Sequence, residues 1–248
     1  MQGDPVRATV RFSNGGGDPN VPDYAQEGRG MAVKLYLDGS TTDMVALSLP
    51  CFFVRTPEDF IEFTRVRKEP EKGGEWFAAH PEAQTAIQFA LSAKPPASYA
   101  TCAYNSIHSY RYIDADGEGR YGRFRWEPEA GEQSLDPDEA KQRGADYLQE
   151  ELAEREGADF RLVVTLAGDG DPVDDPTVAW PEERERVEVG RLVLGGPETN
   201  REQGDDVLVF DPIRVTDGIE LSDDPILRFR PHAYAVSVER RSGAPSPY

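Results

Sequence analysis

Alternation of apolar and polar residues dominates the first fifty positions. PVRATVRFS, GMAVKLYL and TDMVALSL are short runs rich in Val, Leu and Tyr, separated by Gly and Asp turns. That is the pattern of strands with one buried face. The glycine-rich connector SNGGGDPNVPD is followed by neither a helix nor a P-loop lysine, so it reads as a turn and not as a phosphate cradle. The period then lengthens. TPEDFIEFTRVRK predicts a helix with Thr56 as N-cap, Pro57 at the first helical position and acids in the first turn. A second helix is expected through EWFAAHPEAQTAIQFALSA. Strand patterning returns in SYATCAYNSIHSYRYIDADG and EGRYGRFRWEP, a long hairpin about a turn rich in Asp and Gly. DPDEAKQRGADYLQEELAERE predicts a solvent-facing helix, and ADFRLVVTLAG and VEVGRLVLGG predict later strands. The final helix is expected to start at DDPILRFR, capped by Asp224 with Pro225 just inside. No internal repeat or linker stands out, so the pattern describes a single domain. Many hairpin-linked strands with helices packed outside point to an antiparallel barrel of the α+β kind.

Composition narrows the partners. The 248 residues are 38% hydrophobic and 10% aromatic, a globular composition. No apolar run approaches the ~20 residues needed to span a bilayer. The formal charge of −19 argues against nucleic acid and anionic membranes. Acids are spread along the whole chain and lysine is scarce beside arginine, which fits a well-solvated surface, with adaptation to high salt as the second reading. Cys51 and Cys102 have no metal-ligand spacing, which argues against a disulfide scaffold or a zinc site and leaves two buried free thiols. The start, MQGDPVRATVRFSN, lacks a basic region followed by an apolar core, so it does not resemble a secretory signal.

Candidate chemistry concentrates in RFRPHAYAVSVERR, residues 228–241. At 100° per residue Arg230 and Tyr234 lie about 40° apart around a helix, and Arg241 falls between them, so the three share one face over about three turns. Pro231 interrupts this window and could break the register. A phenol has a pKa near ~10 and ligates metal at neutral pH only if its anion is stabilised. A guanidinium one turn away does this by proximity of opposite charge. A tyrosinate on ferric haem is the proximal arrangement of catalases. A second arginine further along could pair with a haem propionate.

At this point the chain resembles the catalase superfamily, most of all its small members, the catalase-related peroxidases. The resemblance is collinear over nearly all of the sequence. VRFSNGGGDP resembles the strand bearing a propionate-binding arginine, here Arg11. GRGMAVKLYLDGSTTDMVALSLPCFFVRTPEDF resembles the lining of the distal pocket, and YNSIHSYRYIDADGEGRYGRFRW the long central hairpin. DPTVAWPEERERVEVGRLVLGGPE and VLVFDPIRVTDGIELSDD resemble the segments leading to the proximal helix, and RFRPHAY supplies its Arg and Tyr.

The resemblance implies a catalase-like antiparallel β-barrel with peripheral helices and a C-terminal proximal haem helix. It implies haem b as cofactor, with Tyr234 on ferric iron, Arg230 as charge partner and Arg11 and Arg241 on the propionates. Phe52, Phe53 and Phe60 would pack near the haem. Ser48, in ALSLP, stands where catalases place an asparagine; it could donate one hydrogen bond, and the replacement goes with peroxidase activity. The family's distal histidine lies upstream of VRFS. His80 falls in a predicted peripheral helix, His108 reads as a satisfied strand residue, and His232 points away from the distal side. Residues 1–248 are therefore expected to be one catalase-like haem-binding domain that lacks its N-terminal segment.

The implied function is a haem-dependent peroxidase reducing organic peroxides or hydrogen peroxide, with room for weak catalase activity. A hydroperoxide isomerase of the allene oxide synthase kind and a non-catalytic haem-binding protein stay open. The implied partners are a peroxide and a small-molecule reductant, without nucleic acid or membrane, and a homo-oligomer is open. The cytoplasm is the favoured compartment, with export open.

Overall fold

The computed structural model describes residues 3–18, 20–198 and 208–242; the side chains of Pro70, Arg241 and Ser242 also lie outside that description. The three alternating runs near the N-terminus form a meander of β1 (Arg7–Asn14), β2 (Arg29–Leu37) and β3 (Ser40–Leu47). Gly15 in the β1–β2 connector is required by packing. A Cβ there would lie 2.5 Å from the Gly28 carbonyl oxygen, which accepts the Gly15 N–H at 2.8 Å. Gly15 thus serves a close backbone crossing.

The chain continues with β4 (Tyr104–Asn105), β5 (Tyr110–Ile113), β6 (Gly119–Pro128), β7 (Ala158–Leu166), β8 (Arg186–Leu194) and β9 (Ile219–Leu221). All pair antiparallel in one sheet of order β1-β2-β3-β4-β6-β5-β9, with β7 on β6 and β8 on β7. The core side chains include Met31, Val33, Tyr104, Phe124, Trp126 and Phe160.

The expected barrel is not closed: among the described residues the sheet is open, and β1 and β8 each pair on one side only. A register shift between Leu162 and Val163 leaves Val189 out of the β7–β8 pairing. Bulges of this kind bend a strand and increase its twist. Both strands line a cavity of about 1700 Å³.

Among the described residues there are six α-helices: α1 (Pro57–Val66), α2 (Pro70–Ala79), α3 (Gln84–Ser92), α4 (Pro137–Arg143), α5 (Tyr147–Glu154) and α6 (Pro225–Ser242). The expected second helix is split at His80, whose φ of −118° and ψ of 75° are not helical. The next residue is Pro81, and proline disfavours the helical region for the residue before it. The expected helix over residues 136–156 is likewise two, broken at Gly144 with φ 111°. Both thiols are free and buried, and desolvation raises each to about 11, so they stay protonated.

The segment before α6 is tied down by a buried charge cluster. Asp43 on β3 pairs with Lys34 at 2.5 Å and with Arg214 at 2.8 Å, and it accepts the Asp211 N–H. Asp224 then caps α6, its Oδ1 accepting the N–H groups of Ile226 and Leu227 at 2.8 and 3.2 Å. Pro225 has no N–H to satisfy, so the amide donors of the second and third helical positions are both met by this cap.

Candidate active site

α6 runs unbroken through Pro231, so the helical register expected for Arg230 and Tyr234 holds. Arg230 donates from Nε and Nη2 to the Tyr234 hydroxyl at 2.9 and 2.6 Å. Its remaining terminal nitrogen, Nη1, lies 3.2 Å from His108 Nε2. His108 Nδ1 lies 2.6 Å from Asp224 Oδ2. A chain Asp224–His108–Arg230–Tyr234 therefore crosses from the helix cap to the middle of α6.

Electrostatics assigns the protons. His108 is fully buried, and desolvation lowers its pKa more than the adjacent Asp224 carboxylate raises it. A neutral imidazole has one N–H. Asp224 can only accept, so that proton sits on Nδ1, and Nε2 is left to accept from Arg230, which can only donate. Every neighbour in the line thus meets its complement. The two guanidinium donors leave the direction of the phenol's own O–H as its remaining bonding direction, where a metal would replace the proton.

This predicts a pH dependence. Because the folded pKa of His108 is depressed, the unfolded chain takes up a proton below about 6.5 that the folded chain refuses. The stabilisation is complete above that pH and is lost as pH falls from there toward the folded value. The urea midpoint should fall as pH drops below about 6.5. In His108→Gln that portion of the slope should vanish; an unchanged slope would show that another group titrates.

Phe52, Phe53 and Phe60 form one aromatic cluster. Phe52 and Phe53 lie 4.7 Å apart between ring centroids, and Phe60 on α1 sits 5.9 and 6.0 Å from them. Phe60 is 37% exposed, an unusual position for a phenylalanine in such a stack, while Phe53 packs inward on Phe63 and Trp76. Ile226 of α6 belongs to the same cluster, and α1 packs against α6, so the wall adjoins the helix bearing Tyr234. Ser48 accepts the Arg29 N–H on its Oγ at 2.8 Å, which leaves its own O–H free to donate in another direction. Arg11 is placed with its guanidinium carbon 5.1 Å above the Phe210 ring. The Arg241 side chain lies outside the described residues.

Of the histidines, His80 stacks on Trp76 and His232 is exposed on α6. His108 was expected to be a satisfied strand residue, and its hydrogen bonds are satisfied. They run, however, to the Arg230 side chain and the α6 cap. Its position two residues before the start of β5 gives no local signal of that, since Asp224 is 116 residues away.

A family model described as Catalase matches residues 1–246. The chain belongs to the catalase family. It is 42% identical to a catalase-related peroxidase of Mycolicibacterium paratuberculosis, with 98% of this chain and 80% of that protein covered. It is 32% identical to a catalase-related peroxidase of Synechococcus elongatus, over 98% of this chain and 75% of that protein. A fungal catalase structure superposes with a TM-score of 0.87 at 26% identity, over 97% of this chain and 53% of that one. The chain thus spans about half the length of that catalase and most of the length of the two peroxidases. It is an oxidoreductase, a haem peroxidase of the catalase-related kind; the isomerase and the non-catalytic carrier are not favoured by these matches. No helix among the described residues is long and apolar enough to cross a membrane.

Proposed function

We propose that residues 1–248 act as one catalase-like unit that binds haem b through Tyr234 on ferric iron, and that reduces organic peroxides or hydrogen peroxide with electrons from a small-molecule reductant. The observation that carries this reading is the pair of guanidinium hydrogen bonds to the Tyr234 hydroxyl, backed by His108 and Asp224. The donor set fits: a phenol oxygen that must lose its proton is met by a fixed cation. Bound haem would supply the iron at which the peroxide O–O bond is split.

The chain's own residues prepare that site. Arg230 holds the phenol oxygen in place and balances its negative charge. His108, kept neutral by burial, fixes the guanidinium orientation, and Asp224 fixes the imidazole tautomer. Phe52, Phe53 and Phe60 give an apolar wall that excludes water and offers ring faces to a flat macrocycle. Ser48 would offer one hydrogen bond to bound peroxide, and Arg11 and Arg241 would pair with the propionates. None of His80, His108 and His232 takes the proton-moving role in this assignment: His80 stacks on Trp76 in the helical layer, His108 is bonded on both ring nitrogens and His232 is exposed.

The test is reconstitution with haem, followed by turnover of an organic hydroperoxide and of hydrogen peroxide. A Soret band with tyrosinate character and oxidation of reductant in proportion to peroxide are expected. Absence of the band overturns the haem assignment, and rearranged hydroperoxide without reductant oxidation would make the chain an isomerase.

Arg230→Ala sharpens this. Hydrogen bonds involving a charged partner are worth about 1.5–3 kcal/mol, so losing two should weaken haem affinity at least tenfold, with the far-ultraviolet circular dichroism unchanged. A parental spectrum and reduction potential would reduce Arg230 to a packing residue.

A further inference from the structure

A second cluster of ligating side chains lies on the helical layer. Asp59 and Glu62 stand three residues apart on α1, on one face of the helix, and His80 ends α2. One carboxylate oxygen from each acid and one imidazole nitrogen lie within 4.8 Å of one another. The two acids come from the helix that carries Phe60, and the imidazole from the break at Pro81.

Three observations separate this group from an ordinary acidic surface. The imidazole is oriented from outside the cluster: Glu82 holds His80 Nδ1 at 2.8 Å, and the ring stacks on Trp76 at 4.0 Å and 18°. A histidine whose Nδ1 is held by a carboxylate presents Nε2 as an acceptor, the arrangement found around protein-bound metals. Next, Trp76 is 4% exposed, and its Nε1–H has no acceptor among the described residues. A buried donor of this kind, in the ring that stacks on His80, calls for a partner such as an ordered water. Last, among the described residues neither Asp59 nor Glu62 forms a salt bridge; Lys72 pairs with Glu69 and Arg55 with Asp175. Asp59 takes a hydrogen bond from Thr56 on Oδ2 alone, which leaves Oδ1.

We propose that Asp59, Glu62 and His80 bind one divalent transition-metal cation, Zn²⁺ in the first instance, with Glu82 as the positioning residue. One nitrogen and two carboxylate oxygens, with water in the fourth position, make a donor set that suits Zn²⁺ and excludes a preference for Ca²⁺. Ligand oxygens and nitrogens about 2.1 Å from a metal stand roughly 3.4 Å apart in a tetrahedron, so the group must close from its present spread. Glu62 is exposed and has the rotamer freedom to do so. The bound ion would join α1 to the end of α2 beside the Phe52–Phe53–Phe60 stack. This inference concerns a site separate from Tyr234 and does not depend on haem binding.

Calorimetric titration of the chelator-treated full chain with ZnCl₂ tests it, with CaCl₂ as comparison. One equivalent of Zn²⁺ should bind and Ca²⁺ should not compete. Glu62→Gln and His80→Gln should each weaken the affinity at least tenfold. Glu82→Gln, which removes no ligand, should weaken it by about tenfold, the usual size of a loss in the layer behind the ligands. Should His80→Gln disturb the Trp76 stack and the fold, Glu62→Gln decides, since that side chain is exposed. Stoichiometric binding that survives Glu62→Gln, or no stoichiometric binding by the parent chain, overturns the proposal.

Discussion

Tyr234→Phe is expected to abolish stable haem binding while leaving the chain folded. The substitution removes one oxygen and conserves the ring, and Tyr234 is only partly buried, so little packing is lost. What disappears is the proposed iron ligand, together with the acceptor for Arg230 Nε and Nη2. No neighbouring group is placed to take over: His108 is fully buried and bonded on both ring nitrogens, and His232 is exposed. Losing a group behind a metal ligand costs ~10–100-fold in affinity, and losing the ligand itself should exceed that. Titration with haem, followed through the Soret band, should show no saturable tyrosinate-type complex, with circular dichroism matching the parent. Undiminished haem content with an unaltered spectrum would remove Tyr234 from the site.

Local signals were legible in the sequence where one element contains the whole pattern. Strands β1, β2 and β3 announce themselves by alternation, and α1 by Thr56, Pro57 and its first-turn acids, with Thr56 accepting the Asp59 N–H as the cap pattern requires. The Arg230–Tyr234 pair is legible for the same reason, since a spacing of four on a helix is a contact. Two helix breaks were in plain view as Pro81 and Gly144, yet helical patterning on both sides outweighed single residues. Strand β9 has three residues and exists through its pairing with β5, a tertiary fact without a local pattern. The open sheet is also tertiary, because the shift at Leu162–Val163 depends on how β7 and β8 meet. His108 and Asp224 illustrate the limit at the site. Each has an adequate local explanation, one beside a strand and one as a helix cap, and only the fold brings them within 2.6 Å.

That double use of Asp224 gives the second large expected effect. Oδ1 caps α6 through Ile226 and Leu227, while Oδ2 accepts from His108, and the side chain is buried. Asp224→Ala removes both. Loss of a helix cap costs about 1 kcal/mol, and a buried donor left without its acceptor costs about 1–3 kcal/mol. The urea midpoint should therefore report a loss of about 2–4 kcal/mol, and the haem spectrum should change because His108 no longer holds Arg230 in one orientation. Asp224→Asn separates the two roles. Asparagine is as good a cap as aspartate, so its oxygen can keep the α6 donors and the roughly 1 kcal/mol that the cap contributes. Its amide would then turn N–H groups toward His108 Nδ1, which must become the acceptor. The imidazole proton moves to Nε2, where it opposes the Arg230 N–H, a donor facing a donor. The expected signature is a stability loss about 1 kcal/mol smaller than that of Asp224→Ala, together with weakened haem ligation. If Asn is as destabilising as Ala, the cap is not what Ala removes. If the Asn variant keeps the parental spectrum, the His108 tautomer does not govern the Arg230–Tyr234 pair.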